Sequence, residues 1–294
     1  MADAATLRAA RAPSTVGAAL DALEGMLAGH DGDAGRDARE IVAALLDVPR
    51  SWPSANRDAA CDRLCYLRAT DAVAALRRGA PFAYAVGRAC FRHLTLDVDE
   101  RVLIPRPETE VLVDLVLAAD VGAGTVVDVG TGSGAIALAL ASEGSFSRVV
   151  ATDISLDALA VARGNARVHA SALRAPVEFR HGSLLAPVRD LRVRAVVSNP
   201  PYIALGEAGS LPAGVRDWEP SVALFSGADG MPATAALVRD AHAVLDRGGL
   251  LAMEVDARRA SLAAELVMAD GRYRDVAVRL DLAGRERFVL ARAI

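Results

Sequence analysis

The second half of the chain alternates short β-branched runs with segments of helical periodicity, and this order limits the fold more than any other feature. The strand candidates are residues 126–129, 148–152, 177–180, 195–198, 249–255, 273–280 and 287–291. The helix candidates between them are residues 135–142, 156–170, 234–245 and 259–269. Strands that alternate with helices in this way form a largely parallel sheet with helices on both faces. The sequence therefore predicts an α/β fold here.

Residues 1 to about 88 instead show apolar residues at helical spacing, with breaks that contain glycine and proline. The helix candidates are residues 15–28, 37–46, 54–68 and 71–78. Acidic and basic residues balance in this part and no catalytic constellation occurs in it. We therefore expect a small helical bundle that packs against or recognises a partner. Alternating residues at 94–98 predict a short hairpin that joins it to the α/β part.

The bulk composition disfavours several classes of protein. The chain has 294 residues, of which 53% are hydrophobic, so it can build a real core. A formal net charge of −4 gives no general affinity for polyanions. The three cysteines form no CxxC pair, which favours a reducing cytosol and argues against a zinc site.

Neither export nor membrane insertion is expected from the sequence. Residues 1–10 carry Asp3 and lack a charged-then-apolar signal pattern. No apolar run reaches the ~20 residues that a membrane span needs. We therefore expect a soluble, cytoplasmic protein that does not bind membranes.

A glycine-rich turn follows the first strand candidate of the α/β part and precedes a helix. The turn consists of Gly130, Thr131, Gly132, Ser133 and Gly134. Turns of this kind are where α/β folds bind cofactors, and the GxGxG spacing differs from the GxGxxG of dinucleotide-binding folds. Asp153 ends the next strand, where a carboxylate can accept both ribose hydroxyls of an adenosine. Together they favour S-adenosylmethionine over NAD.

The string Ser198-Asn199-Pro200-Pro201-Tyr202 follows a third strand candidate. The Asn199 side-chain oxygen and the Pro200 carbonyl can each accept one N–H of a planar NH2 group, while the two prolines stiffen the backbone. Tyr202 can stack on that group. Because the lone pair of such a nitrogen is delocalised, its orientation toward an electrophilic methyl group would supply most of the rate. These residues predict methylation of a conjugated nitrogen.

The residues alone leave several acceptors open. The string suits any planar NH2 group, so adenine in DNA or RNA and a protein amide are both candidates. A nucleic-acid enzyme should show a basic surface with interleaved aromatic residues, but the chain has only 4% aromatics. A scaffold without catalysis is a further alternative. The five histidines lack metal-ligand spacing and no nucleophile motif occurs, so we expect neither a metal site nor a hydrolase.

These motifs and several further strings resemble the release-factor glutamine N5-methyltransferase family, often called PrmC or HemK. The additional strings are residues 78–84 with Gly87, residues 103–110 (Leu-Ile-Pro-Arg-Pro-Glu-Thr-Glu), Glu219-Pro220, Ala223-Leu224 and residues 281–285. The resemblance covers nearly the whole chain and is firmest over residues 77–291. The Ile-Pro-Arg-Pro-Glu-Thr-Glu string is much more specific than Asn-Pro-Pro-Tyr.

The resemblance implies a class I, Rossmann-like methyltransferase domain with a mostly parallel seven-stranded sheet. It implies a helical domain at 1–88 that recognises release factors, a β-hairpin linker at 89–104 and a catalytic domain at 105–294. The implied reaction moves a methyl group from S-adenosyl-L-methionine to the glutamine of a Gly-Gly-Gln loop in translation release factors. Other protein substrates, such as a ribosomal protein, stay open, and no direct nucleic-acid binding is implied.

The resemblance also implies roles for individual residues. Those that would contact the methyl donor are Gly130, Thr131, Gly132, Ser133, Gly134, Asp153, Ser183, Leu184 and Asn199. Those that would hold the glutamine amide are Asn199, Pro200, Pro201, Tyr202 and Arg106, with Asn199, Pro200 and Tyr202 as the catalytic set. Four residues depart from the family pattern: Ser183 where an acid is common, His93 at a usual glycine, and Asp256 and Arg259 where glycine and glutamine are usual. These departures concern the adenine side and the edge of the substrate pocket.

Overall fold

The computed structural model of the chain describes residues 13–30 and 32–294, so the expectation about a signal segment in residues 1–10 lies outside the described residues. The chain divides into two compact units, of which the first ends at Arg88 and the second runs from Ala89 to Ile294. Within the described ranges, no helix combines the length and hydropathy that a membrane crossing requires.

The first unit is built from helices. They are α1 (Val16–Leu27), α2 (Ala34–Leu46), α3 (Trp52–Ala55), α4 (Arg63–Arg77) and α5 (Phe82–Val86). Leu23, Leu27 and Ile41 are fully buried between them. The start of α2 is fixed by the side chain of Asp33, which accepts from the backbone N–H of Arg36 at 2.9 Å.

The prediction of two helices between residues 54 and 78 is wrong, because the single helix α4 replaces them. The Asp62 side chain accepts from the backbone N–H of Leu64 at 3.2 Å, and this N-cap sets the helix start. Thr70 donates its hydroxyl proton to the carbonyl of Leu67 at 2.7 Å. A β-branched residue that makes this bond within the helix does not interrupt it.

A two-stranded hairpin follows, with strands β1 (Arg88–Phe91) and β2 (Leu94–Asp97). At its turn, the backbone N–H of Arg92 donates to Glu110 Oε1 at 2.8 Å, and Arg92 Nε donates to Glu143 Oε1 at 2.6 Å. The hydrogen bonds that Arg92 donates to the Glu143 carboxylate raise the pKa of the Arg92 guanidinium. These bonds fasten the hairpin turn to the α/β part.

The α/β part contains seven α-helices and seven strands among the described residues. The helices are α6 (Pro107–Ala118), α7 (Ala135–Glu143), α8 (Leu156–Val168), α9 (Ala213–Arg216), α10 (Ser221–Leu224), α11 (Pro232–Ala241) and α12 (Ala260–Asp270). The strands are β3 (Thr125–Val129), β4 (Arg148–Asp153), β5 (Val177–His181), β6 (Val193–Ser198), β7 (Leu245–Glu254), β8 (Tyr273–Leu280) and β9 (Glu286–Ala293).

The strands form one sheet in the order β5-β4-β3-β6-β7-β9-β8. Neighbours from β5 to β7 are parallel, and β9 is antiparallel to both β7 and β8. Val126 and Val127 of β3 belong to different buried clusters, because successive side chains of a strand point to opposite faces. One cluster contains residues of α11 and α12 and the other contains residues of α6 and α7. The predicted mostly parallel, seven-stranded α/β fold is confirmed.

The bounds near β7 differ from the prediction. Helix α11 ends at Ala241, not at residue 245, and β7 begins at Leu245, not at residue 249. The pairing of β6 with β7 shifts after Val193, so that β7 contains a bulge between Leu245 and Leu250. Glycines 248 and 249 lie in this bulge, which allows the strand to start before them.

Candidate active site

Three loops leave the carboxyl edge of the sheet side by side. Val129 of β3 pairs with Thr152 of β4 and with Ser198 of β6. Gly130 of the glycine turn follows Val129, Asp153 follows Thr152, and Asn199 follows Ser198. In open α/β sheets, ligands bind in the crevice at this edge. The sequence motifs that were predicted to carry the chemistry therefore lie together.

Hydrogen bonds fold the glycine turn back onto the sheet. The backbone N–H groups of Gly130 and Thr131 both donate to the carbonyl of Thr152, each at 2.9 Å. Below the turn, buried Asp128 accepts from Thr131 Oγ1 at 2.6 Å and from the backbone N–H of Ala137 at 3.1 Å. Burial raises the pKa of Asp128 to about 7. These contacts fix the turn and the start of α7.

A cavity of about 310 Å³ lies against the turn. The predicted site residues in its lining are Gly130, Gly132, Asp153, Ser183, Leu184, Asn199 and Pro201. Pro220, Val222 and Phe225 also line it, and they belong to the long stretch that follows the Asn-Pro-Pro-Tyr string. Thr131 and Ser133 line a smaller space of about 50 Å³, and Gly134 is the N-cap of α7 with φ 88°.

The orientation of Asp153 is set by two backbone groups. Its Oδ2 accepts from the N–H of Gly132 and its Oδ1 accepts from the N–H of Ser155, both at 2.9 Å. A carboxylate offers about four acceptor sites, so each oxygen keeps capacity for a further hydrogen bond. The side chain both braces the glycine turn and presents acceptors to the cavity.

Leu184 has an unusual backbone conformation on the cavity wall. Its φ is 47°, in the left-handed region that few non-glycine residues adopt. The Thr152 hydroxyl donates to its carbonyl at 3.1 Å and holds this conformation. Ser183 precedes it on the same wall, so an uncharged hydroxyl stands where the resemblance led us to expect an acid.

A second cavity, of about 200 Å³, lies on the other side of Asn199. The predicted residues in its lining are Arg106, Asn199, Pro200 and Tyr202, and it is completed by Leu103, Ile203, Leu211, Val215, Ala223 and Leu224. Asn199 lines both cavities together with Leu103 and Ala223, so it stands in the wall that they share. A group bound in one cavity would meet a group bound in the other at this residue.

Asn199 is held from behind by two buried side chains. Its Nδ2 donates to Thr109 Oγ1 at 3.1 Å, and Thr109 Oγ1 donates to Glu254 Oε2 at 2.6 Å. Burial raises the pKa of Glu254 to about 7. Burial likewise raises the pKa of Tyr202 to about 12, so its phenol is neutral at physiological pH. Ser198 donates to the carbonyl of Val129 at 2.8 Å and anchors the end of β6.

Arg106 forms an ion pair with Glu219, whose side chain is buried. The other oxygen of Glu219 accepts from the backbone N–H of Ile104 at 3.3 Å. The pair joins the proline-rich segment before α6 to the segment that contributes Pro220 to the first cavity. Arg106 therefore lines the second cavity while one of its N–H groups is already bound to a carboxylate.

The remaining departures from the family pattern lie in two other places. His93 contacts the end of α7, where its Nε2 is 3.1 Å from Ser142 Oγ. Arg259 follows β7, where its Nη2 donates to Glu207 Oε1 at 3.0 Å and its Nε donates to the carbonyl of Asp229 at 2.7 Å. The loop after Asn199 is thereby tied to the end of β7.

Gly230 of this loop lies close to the end of the Asn-Pro-Pro-Tyr string. Its φ is 80°, and a Cβ there would lie 2.3 Å from the carbonyl oxygen of Tyr202 and 2.9 Å from Arg259 Nε. We expect Gly230→Ala to lower the free energy of unfolding by about 3 kcal/mol, because the methyl group adds both backbone strain and overpacking. Urea denaturation measures this change.

The matched control is Gly206→Ala, because Gly206 is exposed and a Cβ there would contact nothing within 4 Å. Its free energy of unfolding should change by less than about 0.5 kcal/mol. Equal denaturation midpoints for Gly230→Ala and the parent protein would contradict the close approach described here.

Three residues of the site gave no signal of their own in the sequence. Thr109 and Glu219 occur in strings that were noted for their resemblance, and Glu254 begins the departing string 254–259. Thr109 and its partner Glu254 are separated by 145 residues in the sequence, and Glu219 and its partner Arg106 by 113. No local spacing pattern connects residues at such separations.

Comparison with known proteins identifies the family of the chain. The family model "Methyltransferase small domain" matches residues 106–210. A release factor glutamine methyltransferase of Moorella thermoacetica is 44% identical over 215 residues, which are 72% of this chain and 75% of that protein. One of Cereibacter sphaeroides is 39% identical over 260 residues, which are 88% of this chain and 91% of that protein.

A solved methyltransferase of Pyrococcus furiosus shares the fold. Its TM-score is 0.51 at 18% sequence identity, with 69% of this chain and 89% of that chain covered. The two curated relatives are far more similar in sequence, and each is matched over most of its length. With its seven-stranded sheet and the Asn-Pro-Pro-Tyr string at the sheet edge, the chain belongs to the release factor glutamine methyltransferase family.

Proposed function

We propose that this protein transfers a methyl group from S-adenosyl-L-methionine to the side-chain amide nitrogen of the glutamine in the Gly-Gly-Gln loop of translation release factors. One observation carries the proposal: Asn199 stands in the wall between a cavity of about 310 Å³ and one of about 200 Å³. A donor in the larger cavity and an acceptor in the smaller one would react across this wall.

The larger cavity fits S-adenosyl-L-methionine. Gly130 and Gly132 line it, and a Cβ at either would meet no protein atom within 4 Å, so side chains there would project into the space a ligand needs. Asp153 would accept the ribose hydroxyls, while Ser183 and Leu184 would contact the adenine side. When bound, this ligand supplies an electrophilic methyl group on a sulfonium centre.

We assign the carboxamide of the substrate to the smaller cavity. Asn199 Oδ1 and the Pro200 carbonyl would each accept one N–H of the substrate, and Tyr202 would lie against the flat amide. Pro201 stiffens the backbone between them, and Arg106 would contact the edge of the substrate. Leu211 and Val215 make part of the cavity wall apolar.

The chain needs no strong general base in this reaction. The amide nitrogen attacks the methyl carbon, the carbon–sulfur bond breaks, and the proton leaves the cationic product afterwards. The contribution of Asn199 and Pro200 is to hold the nitrogen in line with the methyl group. We further propose that the helical residues 1–88 contribute to recognition of the release factor, and that the reaction takes place in the cytoplasm, where translation ends.

Methylation of adenine in DNA or RNA remains the second candidate, because an exocyclic amine also offers two N–H groups. The net charge of −4 provides no bulk attraction for a polyanion. Methylation of the glutamine of another protein is a third candidate. Both can be tested beside the main proposal.

The test is methyl transfer from labelled S-adenosyl-L-methionine to a purified release factor and to its variant with alanine in place of the loop glutamine. We expect about one methyl group per release factor and none on the variant. The enzyme contains no glutamine, so it offers no competing acceptor of the same kind. Equal labelling of both proteins, or preferential labelling of adenine-containing oligonucleotides, would overturn the proposal.

A further inference from the structure

A chain of three hydrogen-bonding side chains lies behind the catalytic asparagine. Asn199 Nδ2 donates to Thr109 Oγ1 at 3.1 Å, and Thr109 Oγ1 donates to Glu254 Oε2 at 2.6 Å. Thr109 is 4% exposed and Glu254 is 1% exposed. Thr109 lies in the first turn of α6 and Glu254 ends β7, so two distant parts of the chain meet behind the Asn-Pro-Pro-Tyr string.

The chemistry of these groups fixes which of them donates and which accepts in each of the two hydrogen bonds. An ionised carboxylate only accepts hydrogen bonds, so the single hydroxyl proton of Thr109 points to Glu254. The remaining lone pairs of Thr109 can then only accept. The partner on the Asn199 side must therefore be the NH2 half of the amide, which leaves Oδ1 as the half directed away from Thr109.

Because substrate recognition needs an acceptor at this point, the polarity of the amide decides whether the site works. A reversed amide would present its own NH2 group to the NH2 group of the substrate. Two donors that face each other cannot form a hydrogen bond. A residue that prevents the reversal would therefore support the reaction without touching the substrate.

We propose that Thr109 and Glu254 are positioning residues, which lock the Asn199 amide in the orientation that accepts the substrate N–H. The proposal rests on the function proposed above. It adds a requirement for an ionised carboxylate at a place that neither the methyl donor nor the acceptor contacts.

Glu254 lies among several other charged or titratable groups. Arg287 of β9 places its Nη1 3.8 Å from Glu254 Oε1, and Glu108, Arg106 and Tyr202 interact with it electrostatically. Burial is the dominant effect and raises the pKa of Glu254 to about 7. A protonated Glu254 can donate to Thr109 Oγ1, which frees the threonine hydroxyl to donate to a reversed Asn199. The polarity is thus enforced above this pKa and relaxed below it.

Activity should follow the ionised form of Glu254. With saturating donor and a release factor as acceptor, we expect kcat to rise with pH through the region near 7 and then to level off. Glu254→Gln cannot ionise, so its kcat should be lower on the plateau and should lose this rise. A purely structural role for Glu254 would leave the shape of the pH profile unchanged.

Threonine variants test the hydroxyl separately. We expect Thr109→Val to lower kcat about 30-fold, to change KM for the release factor less than about 3-fold, and to leave donor affinity nearly unchanged. Thr109→Ser keeps the hydroxyl and should retain at least about a third of the parent kcat. The matched control is Thr125→Val, which removes a hydroxyl at the start of β3, the end of the strand away from the glycine turn. We expect this variant to have the kinetics of the parent protein. Equal kcat for Thr109→Val and the parent would overturn the proposal.

A measurement without substrate separates this proposal from the proposed function. The chain has three asparagines, Asn56, Asn165 and Asn199, and no glutamine, so its nitrogen-15 spectrum contains three side-chain NH2 pairs. Asn199→Ala identifies the pair of interest. The chemical shifts of that NH2 pair should change as pH crosses about 7 in the parent and should change far less in Glu254→Gln. In Thr109→Val they should move to the values of an amide without this hydrogen bond.

The two failures are therefore distinguishable. If the parent does not methylate release factors but the Asn199 signals respond as described, the proposed function fails and the hydrogen-bond chain stands. If the parent methylates release factors and the Asn199 signals ignore both Thr109→Val and pH, the positioning role is wrong. Circular dichroism and thermal unfolding of each variant confirm that the comparison is made on folded protein.

Discussion

Replacing Asn199 with alanine is expected to lower kcat for release-factor methylation about 1,000-fold, because it removes an acceptor that orients the attacking nitrogen. The dissociation constant for S-adenosyl-L-methionine should change less than about 3-fold, since Asn199 supplies only part of the larger cavity. Rapid-quench single turnovers measure the chemical step, and titration calorimetry measures the donor affinity.

Asn199→Asp provides the matched comparison. The carboxylate keeps an acceptor for the substrate N–H but cannot donate to Thr109. It should therefore retain at least about 10 times the kcat of Asn199→Ala. If Asn199→Ala keeps its turnover and instead loses the donor, Asn199 belongs to the donor site and the role proposed for it is wrong.

The second large effect is expected at Asp153. We expect Asp153→Ala to weaken binding of S-adenosyl-L-methionine about 100-fold, because it removes the ribose acceptors and also frees the N–H groups of Gly132 and Ser155. The turnover number at saturating donor should fall much less than the affinity. Calorimetry with the donor and with S-adenosylhomocysteine measures both affinities.

Asp157→Ala controls for charge, because Asp157 is exposed in the first turn of α8, four residues from Asp153. Its donor affinity should stay within about 2-fold of the parent value, as expected for an exposed charge. Equal losses in the two variants would mean that long-range electrostatics, and not hydrogen bonds at the ribose, explain the effect of Asp153.

Local patterns in the sequence predict the sheet, the glycine turn and the Asn-Pro-Pro-Tyr string well. Each of these depends on residues that are close in the chain, such as the β-branched run of β3 and the glycines that follow it. Parallel pairing then brings Asp153 and Asn199 to one edge without further information, since the register of β3 with β4 and β6 fixes their positions.

Contacts between distant segments are the part that the sequence does not predict. Periodicity does not reveal that Glu254 meets Thr109 or that Glu219 meets Arg106. The first pair depends on how α6 packs against β7, and the second depends on how the loop after β6 packs against the start of α6. The helix error in the first unit has a different, local cause. The apolar spacing suggested a helix that starts at residue 54. The side chain of Asp62 caps the observed helix, which therefore starts at Arg63.

The position of Asn199 in the wall between the two cavities limits how this site could change its substrate. A substitution at Asn199 alters the surface of both cavities, so it cannot change the binding of the acceptor without also changing the binding of the donor. Ile203, Leu211 and Val215 line the smaller cavity alone. Enzymes of this architecture that diverge toward a new acceptor should therefore vary at these three apolar positions, and directed evolution of acceptor choice should begin there.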